Sequence, residues 1–535
     1  MRLSACLFAS LSLACTAPTA PAAPLATGGP ALSAAAGRSA GDTGRGLGLT
    51  YEIYVRSFQD SDGDGIGDLE GVRTRLDHLE AMGVRTLWLM PVFPSVGPAG
   101  YDVTDFDRVR ADYGDADALS ALLADAHVRG MRVLLDLPFN HVARTHPWFA
   151  AAEADSAAPE RDLFLFAGTQ WDTHRWFPSA AGDYYYGFFG ADLPDLDWTN
   201  DATRARMFDV FGAWLDAGVD GYRLDAVTTL VEADGAITNT DATHALLAEL
   251  YAYAADVNPD AVFLAEAGEP DVADNAGFLG TDAAPESDRV LDFPRRTALL
   301  EAVGTGTPTP LLALLQATEE ADALGRTATF VSSHDLARLP AFVPDAAARR
   351  LLMVLQLTLP GDPVLYYGEE LDLADATTAT GQDYAQRAPM PWDSSRNAGF
   401  STGSAWFTLD PAYAEGRNVA GAVADPDSTL NLVRDLACVR DAIEGAAWEP
   451  VATDSAAVLA YSRATEAGRI VVVANLGATA TRELRIDAHG AFQDLTHGLA
   501  GVYAADGLRI QGLPAYGYAV FAEEIAADCP VAGPV

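Results

Sequence analysis

The sequence predicts an α/β protein: a closed eight-stranded (β/α)8 barrel carrying a small inserted domain, with an antiparallel β-domain after it. Three observations carry that prediction. First, short apolar runs recur, each followed by a stretch with helical spacing: TLWLMPVF (86–93), RVLLDLPF (132–139), GYRL (221–224), AVFLAEA (261–267), TATFVSS (327–333) and PVLYYGEE (363–370). Repeated strand-then-helix units imply a parallel sheet, and a 535-residue chain with this many units suits a closed barrel better than an open doubly wound sheet. Second, polar residues follow those runs, namely Asn140 and His141, Asp225, Glu266, His334 and Asp335. That is where a parallel barrel presents its chemistry. Third, from about residue 448 the pattern becomes alternating strands, AVLAYSRA, RIVVVANL, TRELRID and YGYAVFAE, broken by Gly, Asn and Pro turns.

Taken in order, residues 1–15 hold one Arg and then an apolar run, Leu3 to Ala14, too short to span a bilayer and shaped like a signal peptide. Cys15 follows Ser12, Leu13 and Ala14, which resembles a bacterial lipoprotein cleavage site. The expected location is extracytoplasmic, either secreted or lipid-anchored through Cys15. Residues 16–48 are almost all Ala, Pro, Gly, Ser and Thr, a composition with too few large apolar groups to offset chain ordering, and read as a tether. The barrel then occupies 49–140 and 199–447. Between them, 141–198 is too long for an ordinary barrel loop and rich in aromatic residues such as Trp148, Trp176 and Tyr184 to Tyr186, so it is expected to form an inserted subdomain. The β-domain covers 448–526.

The charge narrows the partners. A net charge of -41 and 75 acidic against 34 basic residues repel phosphate backbones and anionic membranes, which excludes an electrostatically driven nucleic-acid role. A membrane contact is expected only through the lipid anchor, and a monomer is expected. Every basic residue is Arg, which fits either a high-salt habitat or codon bias. Of four cysteines, Cys6 and Cys15 fall in the leader, leaving Cys438 and Cys529 either as a disulfide or as two free thiols.

Hydrolysing a glycosidic bond with retention needs a carboxylate nucleophile and a carboxylic acid that protonates the leaving oxygen, about 5 to 5.5 Å apart. Asp225 follows GYRL, and Arg223, two residues earlier on the same strand face, could keep it ionised. Glu266 ends an apolar strand with few charges nearby in sequence, an environment that favours the protonated acid. Asp335 beside His334 could orient hydroxyls. Taken singly, a strand-end carboxylate is more often an ion pair or a helix cap than a catalytic group.

The ordered set is more specific. DLPFNH (136–141), GYRLDA (221–226), LAEA (264–267) and FVSSHD (330–335) resemble, in order and spacing, the four characteristic regions of the α-amylase family, and LPDLDW (193–198) resembles the short extra motif of its inserted subdomain. Further similarity runs through 83–95, 100–106, 357–370 and 387–400. The resemblance implies a (β/α)8 TIM barrel, a small inserted domain and a C-terminal β-sandwich. By position it implies Asp225 as nucleophile, Glu266 as general acid/base and Asp335 as transition-state stabiliser, with Arg223 supporting Asp225. His141 and His334 would bind sugar hydroxyls, and Tyr101 would be an aromatic platform, followed by Asp102 as in glucosidase-like branches. Departures from the family pattern are Ala99 for a common His, Thr228 and Thr229 for a Lys-His pair, Ala267 for a larger apolar residue, and Ser333 for a common Asn.

DSDGDGIGD (60–68) is a second constellation. Carboxylates at alternate positions can converge on a hard cation, for which calcium is the natural guest, with Asp60, Asp62, Asp64, Asp68 and the Ile66 carbonyl as ligands. Gly71 stands where a helix-loop-helix calcium sensor needs Glu, so a sensor role is not expected. The segment resembles the structural calcium loop after the first barrel strand of oligo-1,6-glucosidases. A second calcium at Asn140 is the alternative to that Asn simply orienting the site. The function expected from the resemblance is hydrolysis of α-1,4 bonds in starch-derived glucans or maltooligosaccharides. The alternatives are α-glucosidase or oligo-1,6-glucosidase action, trehalose-forming transglycosylation, and a non-catalytic carbohydrate-binding barrel. Small Ala226 after Asp225 is a feature of α-1,4-specific relatives.

Overall fold

The computed structural model describes residues 46–170, 174–233, 235–376, 384–465, 467–495, 501–504 and 507–523. The expectations for the leader, Cys15, the tether as far as residue 45, and Cys529 lie outside the described residues. Eight parallel strands close a barrel: β1 Thr50–Ile53, β2 Thr86–Leu89, β3 Arg132–Leu137, β4 Gly221–Leu224, β5 Val262–Ala265, β6 Arg289–Leu291, β7 Thr327–Thr329 and β8 Asp362–Tyr366. Each pairs with its sequence neighbours, and β8 closes on β1 with Glu52 opposite Tyr366.

Six of these strands coincide with the apolar runs of the sequence. The other two, β1 and β6, are three or four residues long and carry Glu52 and Arg289, which break the apolar run. Both charges are tolerated inside the barrel because each has a partner on another strand or loop: Glu52 meets His334, and Arg289 meets Asp362 at 2.6 Å. The interior is otherwise filled by Trp88, Leu134, Val262, Leu264, Leu291, Ala328 and Val364. The larger apolar layer lies between strands and helices. Helix starts are set by short polar side chains: Asp115, Asn200, Thr240 and Ser428 accept from backbone N–H groups of helices Ala116–Val128, Asp201–Asp216, Asp241–Val257 and Thr429–Ile443.

The insertion after β3 folds around Phe149, Phe164 and Tyr185, with a helix, Pro147–Ala154, and a three-stranded sheet of Phe166–Ala167, Tyr184–Tyr186 and Trp176–Pro178. It is tied to the barrel by the Leu196 N–H donating to Asn140 O at 2.9 Å and by the Trp198 indole donating to Phe139 O at 3.0 Å, while the bridges His141 to Asp195 and Phe164 to Leu196 close it on itself. In the C-terminal region, a five-stranded antiparallel sheet faces a three-stranded one. Val458, Ala460, Val471, Val473 and Phe521 of the first pack on Leu484, Ile486, Leu508 and Ile510 of the second. The other face of the larger sheet, through Leu459, Tyr461 and Val472, joins the barrel core. Cys438 on helix Thr429–Ile443 is disulfide-bonded. Among the described residues no helix is long and apolar enough to cross a membrane.

Candidate active site

The register of three neighbouring strands decides which carboxylates meet. Asp136 on β3 pairs with Arg223 on β4, and Arg223 pairs with Leu264 on β5. Side chains two residues apart share a strand face, so Asp225 and Glu266 stand at matching positions just beyond Arg223 and Leu264. The buried Arg223 guanidinium binds all three acids. Its Nη1 donates to Asp136 Oδ1 at 2.8 Å and to Asp225 Oδ1 at 2.5 Å, and its Nη2 lies 2.6 Å from Glu266 Oε2. Sequence alone gave Glu266 few charged neighbours; the structure corrects this, because the strand register carries the Arg223 fork across to it.

One cation among three carboxylates leaves the cluster net negative. Burial pushes Asp225 well above the usual carboxylate range; Arg223 opposes this, and the like charges of Glu266 and Asp136 reinforce it. Burial works against the charge of Arg223, but Asp136 and Glu266 outweigh it and raise its proton affinity. Directly after Asp225, Ala226 sits in the left-handed region at φ 48°, and this turn aims its N–H at Glu266 Oε2, 3.1 Å away.

A second group lines the opposite wall. His334, after β7, sets Nδ1 2.5 Å from Glu52 Oε1 and Nε2 3.0 Å from Asp335 Oδ2 and 2.7 Å from the Tyr101 hydroxyl. The Tyr101 and His334 rings stack at 5.4 Å and 12°. The Tyr101 hydroxyl donates to Asp136 Oδ2 at 2.9 Å, and the Trp88 indole donates to the same oxygen at 3.0 Å, so Asp136 joins the two groups. Arg387 Nη2 reaches Asp335 Oδ1 at 3.3 Å. Burial alone would lower His334, but Asp335 and Glu52 raise it to about 10. Asp335, for which burial acts upward, is held below the usual carboxylate range by His334 and Arg387. Its side chain is 57 % exposed.

His141 donates Nε2–H to Tyr101 O at 3.1 Å, and burial pulls it down to about 4, so the ring is neutral. Phe189, 47 % exposed, stands edge-on to it at 5.2 Å. Asp102 takes a different position from the rest: its Oδ2 accepts Gly97 N–H at 2.7 Å within its own loop, and no hydrogen bond joins it to the cluster among the described residues. Asn140 accepts from the Thr229 hydroxyl at 3.1 Å, so one of the two threonines that replace Lys-His braces the end of β3.

Sequence reasoning missed Glu52, Asp136, Trp88 and Arg387. Asp136 and Arg387 each open a motif that the sequence displays, but an acid inside an apolar strand reads as an interruption until its partners are known.

In the 60–68 loop, carboxylate oxygens of Asp60, Asp62 and Asp68 lie within 4.8 Å of one another. Asp64 does not join that group; its Oδ1 accepts Ile66 N–H at 2.7 Å. Asp60 Oδ1 accepts from Asp62 and Gly63 N–H, and Asp68 both accepts Ser61 N–H and caps helix Leu69–Thr74. Gly71 has a reason to lack a side chain, since a Cβ there would stand 1.9 Å from Gln59 O.

Residues 52–447 match the family model described as alpha amylase, catalytic domain. The chain is 29% identical to alpha-amylase 3 of Dictyoglomus thermophilum over 441 residues, covering 80% of this chain and 84% of that protein. It is 31% identical to the trehalose synthase/amylase TreS of Mycobacterium tuberculosis over 471 residues, covering 77% and 78%. The solved alpha-amylase of H. orenii superposes with a TM-score of 0.79 at 28% identity, covering 89% of this chain and 99% of that one.

Proposed function

The chain belongs to the α-amylase catalytic-domain family, and from that premise we propose that it hydrolyses α-1,4-glucosidic bonds in starch-derived glucans or maltooligosaccharides with retention of configuration. Family membership makes it a glycoside hydrolase or transglycosylase. The observation that carries the finer reading is the single buried guanidinium of Arg223 shared by Asp225 and Glu266. One planar fork thus fixes two carboxyl groups on the same side of the barrel mouth, the placement that a nucleophile and a general acid acting on one bond require together.

In this reading Asp225 attacks the anomeric carbon while Glu266 gives its proton to the departing glycosidic oxygen, leaving a glycosyl ester on Asp225. Glu266, now ionised, takes a proton from water, the water oxygen attacks the same carbon, and Asp225 leaves with both bonding electrons. Asp335, His334 and His141 hold hydroxyls, and Tyr101 supports the sugar ring. The same ester intercepted by a sugar hydroxyl gives transglycosylation, a second reading favoured by the 31% identity to a protein named trehalose synthase/amylase.

The reading includes a structural calcium ion. Support comes from the donor set: the converging Asp60, Asp62 and Asp68 are hard oxygen ligands, and Asp60 raises the proton affinity of Asp68 beyond what burial does. Bound there, calcium would neutralise the loop about 60–68 and stiffen the chain after β1.

Product analysis on soluble starch, maltooligosaccharides and isomaltose tests the proposal, with wild type and Asp225→Asn, in calcium and in chelator. Release of α-configured glucose or maltose by wild type and none by Asp225→Asn is expected. Trehalose as main product, cleavage of isomaltose alone, or β-configured product overturns it.

A further inference from the structure

We infer that Glu52 is a positioning residue that holds the His334 ring as an imidazolium donating from both nitrogens, and that this charge fixes Asp335 in the cleft. The inference rests on the sugar-binding reading of the site only for its effect on turnover.

Hydrogen-bond capacity carries the argument. Glu52 Oε1 faces His334 Nδ1 at 2.5 Å; burial raises the proton affinity of Glu52, but His334 and Arg223 oppose it, and an ionised carboxylate accepts only, so the shared proton sits on Nδ1. On the other side Nε2 faces Asp335 Oδ2 at 3.0 Å, again an acceptor, and the Tyr101 hydroxyl at 2.7 Å. The Tyr101 proton is already given to Asp136 Oδ2 at 2.9 Å, so toward His334 its oxygen accepts. Every partner of Nε2 therefore wants a donor, and the ring satisfies all of them only when both nitrogens are protonated. Glu52 itself is fully buried, and among the described residues its Oε2 has no hydrogen-bond partner. The ring nitrogen is thus its main neutralising contact, and a carboxylate retained at that cost points to a charge rather than a packing role.

The other groups around the ring are Asp136 on β3, Arg223 on β4, and Arg387, which donates to His334 O at 3.1 Å and also reaches Asp335. Glu369, after β8, feels the charge of Glu52 as well. Arg223 and Arg387 disfavour an imidazolium, so the acids have to supply it, and of these Glu52 makes the shortest contact. Among the described residues the Asp335 carboxylate contacts two cations, His334 at 3.0 Å and Arg387 at 3.3 Å, with Arg223 acting on its charge from farther away. Neutralising the ring removes the nearer of the two contacts and frees the carboxylate to swing.

The test is a 15N-histidine titration of the full chain as wild type, Glu52→Gln and Glu52→Asp, with His334 assigned by its loss in His334→Gln. Wild type and Glu52→Asp are expected to show both His334 nitrogens protonated up to about pH 9, whereas Glu52→Gln releases a proton at least roughly one pH unit lower. In parallel, kcat/KM of Glu52→Gln should fall more steeply toward alkaline pH than that of wild type, and Glu52→Asp should restore the wild-type profile. A wild-type ring singly protonated near neutrality, or the same His334 titration in wild type and Glu52→Gln, overturns the inference. The titration reads ionisation without turnover, so a failure of the proposed hydrolysis would be seen separately.

Discussion

Arg223 Nη2 lies 2.6 Å from Glu266 Oε2, so the carboxyl at the end of β5 draws on the same cation as Asp225 at the end of β4. The two carboxyls are held at a fixed separation by a planar fork that neither can leave without stranding a buried charge. Lysine offers one point charge in place of that fork. Arg223→Lys is expected to lower kcat/KM by about a hundredfold or more, on the scale of losing one preorganised electrostatic contact. Arg223→Gln, which leaves the buried Asp136 and Asp225 and the half-buried Glu266 without their shared cation, is expected to cost about 3–5 kcal/mol in denaturant unfolding. Activity of Arg223→Lys within a few-fold of wild type contradicts the bridging role.

Ala226 at φ 48° holds a non-glycine residue in the left-handed region so that its N–H reaches Glu266. Such a conformation costs about 1–2 kcal/mol for a residue with a Cβ and more for a β-branched one. Ala226→Gly is expected to raise or preserve the melting temperature, and Ala226→Val to lower both stability and kcat. A melting temperature unchanged by Val would show that the turn is not strained.

Acid sensitivity follows from His141. Its pKa falls from 6.5 to about 4 because burial disfavours the cation, so the unfolded chain binds more protons between these values. Stability contributed by the neutral ring is therefore complete above about pH 6.5 and is lost as pH falls toward 4, a loss of order 3 kcal/mol. His141→Gln should flatten this part of the stability-versus-pH curve. An equally steep decline in the variant would assign acid unfolding to other groups.

Chelation should lower the melting temperature of wild type and leave that of Asp62→Asn unaffected. Asp62 is the clean choice because Asp68 also caps a helix and Asp60 accepts several backbone N–H groups. A ligand at a hundred times its dissociation constant adds about 2.7 kcal/mol. No calcium-dependent shift in wild type would remove the metal from the proposal.

The strand-helix alternation made the barrel legible because six strands are buried on both faces and read as short, largely apolar runs despite single charges such as Asp136 and Arg223. β1 and β6 were illegible for the opposite reason. Their inward residues Glu52 and Arg289 look like interruptions in one dimension and become ordinary once His334 and Asp362 are seen opposite them. The inserted domain was visible from its length and aromatic content, but its ties to the barrel through Leu196 and Trp198 were not.

The sequence by itself determined which chemistry the strand ends carry, because Asp225, Glu266, Asp335, His141 and His334 each follow an apolar run that must end at the mouth of a parallel barrel. Only the tertiary structure decided their electrostatics. Parallel register sets Arg223 between Asp136 and Leu264, and closure of β8 on β1 brings Glu52 to a histidine 282 residues away. Charges near in space but far in sequence, around a largely buried Arg223, Glu52 and His334, fix where protons reside, and no local pattern encodes that arrangement.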